Sequence, residues 1–220
     1  MSKYYWPGDI PTARRLQKEL GKKVRIHPLQ KSPSYIAGVD AAFDGELVFA
    51  VASLFAYPSL LHMVDAVSRE NVRFPYIPGF LSFREGHAFI SAIRTLKPVP
   101  DVIIVDGHGI AHPLRCGIAS HIGVLLDIPT IGCAKSWLVG EYSEPGREKG
   151  QWSPLVYKKE RVGAVLRTRD NVNPVFVSPG HRIDLHSSVA IVLQSLTRYR
   201  LPEPMRRADH LTKEFIRENK

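Results

Sequence analysis

The chain is poor in cysteine, in acidic residues and in long apolar runs, and each shortage removes a class of function. Two cysteines, Cys116 and Cys133, stand in 220 residues, and neither belongs to a Cys-x-x-Cys pair. A zinc site built on thiolates is therefore not expected, whereas two buried free thiols in a reducing compartment are. No apolar run approaches the roughly 18–20 residues of a membrane span. The opening Met1-Ser2-Lys3-Tyr4-Tyr5-Trp6-Pro7 carries no apolar signal-peptide core. The expectation is a cytoplasmic protein. The acidic side chains number 21 against 30 Lys and Arg, for a formal net charge of +9. That imbalance favours a polyanionic partner, either nucleic acid or an acidic membrane surface.

Missing motifs narrow the chemistry further. There is no Gly-x-Ser-x-Gly elbow, and neither cysteine has a local catalytic signature. Gly107-x-Gly109 lacks the third glycine of a dinucleotide-binding turn, because His112 occupies its place. His108, His112, Cys116 and His121 are zinc-type ligands. Gly109 and Pro113 nevertheless argue against one continuous helix there, and no glutamate lies between the first two histidines. Internal repeats and low-complexity segments are absent.

What remains is 220 residues with 44% hydrophobic content, which reads as one domain, 1–220, with a sizeable core. Its centre is Val102-Ile103-Ile104-Val105-Asp106-Gly107-His108-Gly109. Four β-branched residues in a row predict a strand buried on both faces. Ligands of open α/β sheets sit beyond the carboxyl ends of such strands, so Asp106 is a candidate for chemistry; capping the turn is its plainer role.

In chain order, Pro11–Leu20 reads as a helix capped by Asp9. Lys22, Lys23, Arg25 and His27 follow as a basic stretch, better read as a solvated face than as phosphate contacts. Tyr35–Phe43, Glu46–Phe55 and Ser59–Val67 predict an antiparallel meander, with Asp44-Gly45 as the first turn. Asp40 lies inside the first strand with no cation within four residues, so a bound cation or a distant arginine must balance it. Pro75 and Pro78 stiffen the stretch Phe74-Pro75-Tyr76-Ile77-Pro78-Gly79. Its side chains suit insertion beside a displaced base or simple packing over the core.

Ser82–Leu96 predicts a helix in which Ser82 and Glu85 fit a capping box; Glu85 is also placed to face a sheet edge. A helix over Arg115–Leu126 and a strand over Thr130–Ala134 make a parallel pair with the Asp106 strand. Lys135 then falls at the same sheet edge as Asp106, where it reaches a phosphate or a metal-bound water, or stays a surface lysine. Ser143–Lys159 reads as a mobile loop, Arg161–Arg167 and Val175–Ser178 as strands, and Pro179-Gly180-His181 as a turn. Leu185–Leu196 and Pro204–Glu218 are the closing helices, the last of them holding Asp209 and His210.

Asp40, Glu85 and Asp106, with Asp209 as a possible fourth, are hard oxygen ligands of the kind Mg²⁺ or Mn²⁺ takes. Two such ions about 3.5–4 Å apart suit phosphodiester hydrolysis.

From about Tyr35 to Thr212 the sequence resembles the endonuclease V family, the deoxyinosine-specific nucleases. The resemblance rests on Gly38-Val39-Asp40, Phe74 to Gly79, Phe83-Arg84-Glu85-Gly86, and Val105 to Pro113. It continues through Gly117 to His121, Pro129 to Gly132, Ala134-Lys135-Ser136, Val177 to His181, and Leu201 to Pro204. It implies an RNase H-like α/β fold, a central mixed sheet in which an antiparallel meander is followed by parallel strands, flanked by helices. It also implies a monomer that acts on DNA containing deoxyinosine. The second phosphodiester bond 3′ to the lesion would be hydrolysed, leaving 3′-hydroxyl and 5′-phosphate ends. The implied cofactor is Mg²⁺, with Mn²⁺ as a substitute. By the same likeness Asp40, Glu85 and Asp106 hold the metal. Asp209, or its neighbour His210, fills a fourth position that varies within the family. Lys135 would lie near the scissile phosphate. Tyr76 would fill the gap left by the displaced base, and Gly79, Leu81, Gly109, Ile110 and His112 would surround that base. Two other readings stay open: an inosine-directed endoribonuclease, and a non-cleaving inosine-binding protein.

Overall fold

The structure, a computed structural model, describes residues 4–218. The first three residues of the N-terminal stretch weighed above, and the last two of the chain, lie outside the described residues. One eight-stranded mixed sheet organises the rest. Its first three strands, β1 (Tyr35–Asp44), β2 (Leu47–Ala56) and β3 (His62–Asn71), form the antiparallel meander. Next, β4 (Val102–Val105) pairs parallel with β1, and β5 (Thr130–Ala134) pairs parallel with β4. Three further strands, β6 (Trp152–Tyr157), β7 (Glu160–Leu166) and β8 (Val175–His181), extend the sheet in the spatial order β3-β2-β1-β4-β5-β8-β7-β6. Meander followed by parallel strands is the RNase H-like arrangement.

Alternation along the strands assigns the two faces. Ala37, Val39, Ile103 and Val105 pack against α2 (Leu81–Thr95) and α3 (Ile118–Leu126). Ile36, Ile104 and Ile131 face the other way, toward α4 (Leu185–Gln194) and α5 (Glu203–Glu218). Burial on both faces explains why β4 is wholly apolar. The first helix, α1 (Ile10–Gly21), is one residue longer at each end than the sequence reading and is capped as read: Thr12 donates its backbone N–H to Asp9 Oδ1 at 2.8 Å.

Several boundaries and roles differ from the sequence reading. Strand β3 starts at His62 rather than Ser59 and runs on to Asn71. Leu60 takes a positive φ in the turn, and the polar end of β3 is a sheet edge, where apolar alternation fades. Helix α3 begins at Ile118 rather than Arg115, because Arg115 has φ +55 and cannot sit in a right-handed helix. The capping box does not form. Phe80 precedes α2 without a side-chain cap, and Ser82 Oγ instead meets His121 Nδ1 at 2.9 Å. Within the predicted mobile loop lies β6, whose Ser153 and Leu155 point into the core while Pro154 sits on the outermost strand, where a missing N–H is tolerated. Pro179, Gly180 and His181 continue β8 instead of turning, with a register shift opposite Thr130 and Ile131. Both cysteines are free and buried.

Candidate active site

The register of β1 and β4 brings the first two carboxylates together. The parallel pairing runs Ile36↔Val102 to Val39↔Val105, so Asp40 and Asp106 are the next residues along, side by side at the carboxyl end of β4. Both lie on the α5 face by alternation. Gly38, two residues before Asp40 on that face, lets α5 descend onto β1. A Cβ there would fall 2.2 Å from the backbone of Pro204 and Met205, so no other residue fits without moving α5. Asp209 follows Met205 by four residues and therefore projects from the same helix face, over Asp40. Carboxylate oxygens of Asp40, Asp106 and Asp209 lie within 4.8 Å of one another. Among the described residues no other group of His, Cys, Asp or Glu converges in this way, so the zinc-type set of His108, His112, Cys116 and His121 does not assemble.

Glu85 is 6% exposed and lines the same cavity, but stands outside that tight trio. His210 turns away to pair with Glu214 at 3.1 Å, so Asp209 is the member of the couple that reaches the cluster.

Lys135 bridges the acids, with Nζ 2.6 Å from Asp106 Oδ2 and 3.1 Å from Asp209 Oδ1. Lys213 holds the other oxygen of Asp209 at 2.5 Å. These cations do not neutralise the cluster. Burial, and then the charge of Asp106, push Asp40 up to about 7 despite Lys135. Burial and the charges of Asp40 and Asp106 push Glu85 well above the usual carboxylate range. Burial also works against ionised Asp209, but hydrogen bonds from Lys213 and Lys135 outweigh it and hold that carboxyl low. Burial would lower Lys135, yet Asp106 keeps its ammonium firmly charged. A crowd of hard oxygen donors, two of them costly to ionise, fits a divalent cation.

The acids open into a cavity of about 380 Å³. Tyr76, Gly79, Leu81 and His112 line it together with Asp40, Glu85, Asp106 and Lys135. Tyr76 is 71% exposed on the stiff loop between β3 and α2. His112 donates from Nε2 to the Gly79 carbonyl at 2.9 Å and accepts the Leu114 N–H at Nδ1. Burial drops its pKa to about 4, so the ring is neutral and its tautomer fixed. Gly109 and Ile110 do not line the cavity. Gly109 is packed beneath β8, where its N–H donates to Ser178 Oγ at 2.8 Å and a Cβ would meet Pro179 O at 2.0 Å.

A family model for endonuclease V matches residues 18–210. The chain belongs to the endonuclease V family. A relative from Geotalea uraniireducens is 53% identical over 95% of this chain and 89% of its own length. One from Dictyoglomus turgidum is 47% identical over 97% of this chain and 93% of its own. Among solved structures, endonuclease V from Streptomyces avermitilis superposes with a TM-score of 0.92 at 40% identity, covering 97% of this chain and 96% of that one. Endonuclease V from Ciona intestinalis, solved with a 24-mer DNA containing an inosine followed by a ribo-adenosine, gives 0.84 at 27% identity, over 96% and 98% of the two chains.

Two residues at this site escaped the sequence reading. Gln17 donates from Nε2 to Gly79 O at 2.9 Å and to Cys116 O at 2.7 Å, tying α1 to the Tyr76 loop. Its signal was a polar residue on the stripe formed by Ala13 and Leu20. Trp137 lines the cavity just beyond Lys135. Its position past the end of β5 was the available clue.

Proposed function

We propose that the protein is a divalent-metal-dependent endonuclease that recognises deoxyinosine in DNA and hydrolyses the second phosphodiester bond 3′ to it, leaving 3′-hydroxyl and 5′-phosphate ends. The observation that carries this reading is the meeting of Asp40 on β1, Asp106 just past β4 and Asp209 on α5 beside Lys135, with Asp40, Asp106 and Lys135 lining the same cavity as Tyr76. In this reading residues 1–220 act as one unit, a cytoplasmic monomer whose partner is the damaged strand.

Asp40, Glu85 and Asp106, joined by Asp209, would hold Mg²⁺, or Mn²⁺ in its place. The ion, when bound, supplies positive charge to a water nucleophile and to the departing oxygen. The chain supplies the rest. Lys135 already spans two of the acids and is positioned to contact a phosphate oxygen once they are otherwise balanced. Tyr76 stands clear of the surface on a loop braced by Gln17 and His112 through the Gly79 carbonyl. It fills the stack when a base leaves, without first having to be ordered. Gly79, Leu81 and neutral His112 form a snug wall for that base, and the net charge of +9 draws the polyanion in.

The test uses end-labelled duplexes with inosine or adenine at one position, in Mg²⁺ and in EDTA. Cleavage is expected at the second phosphodiester bond 3′ to the inosine, in Mg²⁺ and not in EDTA. Asp106→Ala should lose cleavage yet still bind the inosine duplex in Ca²⁺. Full activity of that variant would remove the metal-site assignment, and binding without cleavage by the intact protein would favour a non-cleaving inosine-binding role. The ribo-adenosine beside the inosine in the Ciona complex makes RNA the second substrate to try. Faster cutting of a matched inosine RNA would shift the reading to an endoribonuclease.

A further inference from the structure

Tyr76 and Trp137 are the two large aromatic side chains lining the cavity, and both are exposed, at 71% and 55%. They come from opposite sides of the β1–β4 pair in the sheet. Tyr76 belongs to the loop before α2, which packs on the meander, whereas Trp137 follows β5. Tyr76 has a role in the reading above; Trp137 has none.

Its setting is that of a platform. The indole N–H donates to the Gly140 carbonyl at 2.8 Å, so the polar edge of the ring is satisfied within its own turn. What is left facing outward is apolar ring surface, which gains by being covered. The hydrogen bond also restrains the ring in advance, which lowers the entropic cost of stacking on it. Lys135, two residues earlier, is the cation that bridges Asp106 and Asp209. The ring is thus carried on the same short segment as the ammonium to which the reading above gives the phosphate contact.

We infer that Trp137 is a base-stacking subsite for an unpaired nucleobase next to the bond that is cut, separate from the wall formed by Gly79, Leu81 and His112. This deepens the nuclease reading and rests on it. Any of the four bases serves, because each presents a π face. The substrate strand is then unstacked at a second nucleotide as well as at the lesion.

The test measures binding in Ca²⁺ of inosine strands in which one flanking nucleotide at a time is made abasic. Wild type, Trp137→Ala and Trp137→Phe are compared, with far-UV circular dichroism confirming the fold. Trp137→Ala should weaken binding of the intact strand by about five- to 150-fold, the range of one aromatic–base stack, and Trp137→Phe should restore most of it. At one flanking position the abasic change should weaken wild type by a similar factor and Trp137→Ala not at all, the signature of a coupled pair. Coupling at no position overturns the inference. Coupling only at the inosine itself also overturns it, because Trp137 would then belong to the lesion wall. Failure of the nuclease reading shows separately, as equal binding of inosine and adenine strands and no cutting in Mg²⁺; the abasic series on an undamaged strand still measures the stack.

Discussion

Asp40→Asn should make the metal-free protein more stable while disabling it. Burial and the neighbouring Asp106 lift the Asp40 carboxyl from an ordinary 3.8 to about 7. A group with a raised folded pKa favours the fold while protonated and penalises it once ionised. The penalty is absent below pH 3.8, grows as pH rises toward 7, and is constant above. At 1.36 kcal/mol per pH unit it reaches about 4 kcal/mol at pH 8 and about 2 at pH 5. Asparagine keeps the shape and carries no charge. For a chain of this length each kcal/mol moves Tm by about 2–4 °C, so a rise of about 8–16 °C is expected at pH 8 in EDTA, and about half of that at pH 5. Mg²⁺ should narrow the gap, because an ion that binds only the native wild-type site adds stability by mass action, about 2.7 kcal/mol at 100 times its Kd. Thermal melts in the four conditions check all of this. A Tm for Asp40→Asn equal to or below wild type at pH 8 in EDTA would refute the claim that the acids are held together at a cost.

Two further perturbations probe how the site is built. Gly38→Ala places a Cβ 2.2 Å from the backbone of Pro204 and Met205; it should destabilise by about 1–3 kcal/mol in urea titrations and lower cleavage, because the displaced helix carries Asp209. His121, stacked on Trp6 with Phe83 edge-on, has its pKa dropped to about 3 by burial. Below pH 6.5 the unfolded chain gains a proton that the fold refuses, so stability falls with pH. Wild type should lose about 2 kcal/mol relative to His121→Phe between pH 7 and pH 5, and parallel urea midpoints over that range would contradict the burial argument.

What the sequence revealed depended on how local the physics was. Strands β1, β4 and β5 were readable because apolar, β-branched runs ended abruptly at a carboxylate, glycine or lysine. Asp40 and Asp106 stood out as charges attached to such runs, and their adjacency followed once β1 and β4 were parallel. Features set by distant contacts were not readable. Ser82 fits a capping box by spacing, yet the buried imidazole of His121, 39 residues on, takes its hydroxyl instead. Gly109 falls within a motif that suggests the base pocket, but the close approach of Pro179 accounts for its missing side chain. Strand β6 was hidden because an edge strand needs only one buried face and tolerates Pro154. The role of Gly38 emerges only when α5 is seen resting on it.

The charge distribution explains why cation and substrate must bind as coupled ligands in the proposed reaction. The chain carries a net +9, which concentrates polyanions, but the cavity is lined by carboxylates that repel a phosphodiester. Lys135 alone cannot reverse that sign, since it is shared between Asp106 and Asp209 and still leaves Asp40 pushed up to about 7. A divalent ion relieves the carboxylates, and in doing so frees the Lys135 ammonium for a phosphate oxygen. The phosphate in turn adds negative ligands that favour the ion. Each ligand therefore tightens the other by the same factor. Lys135 is the pivot of that coupling, because its two ion pairs are the contacts exchanged when the site fills.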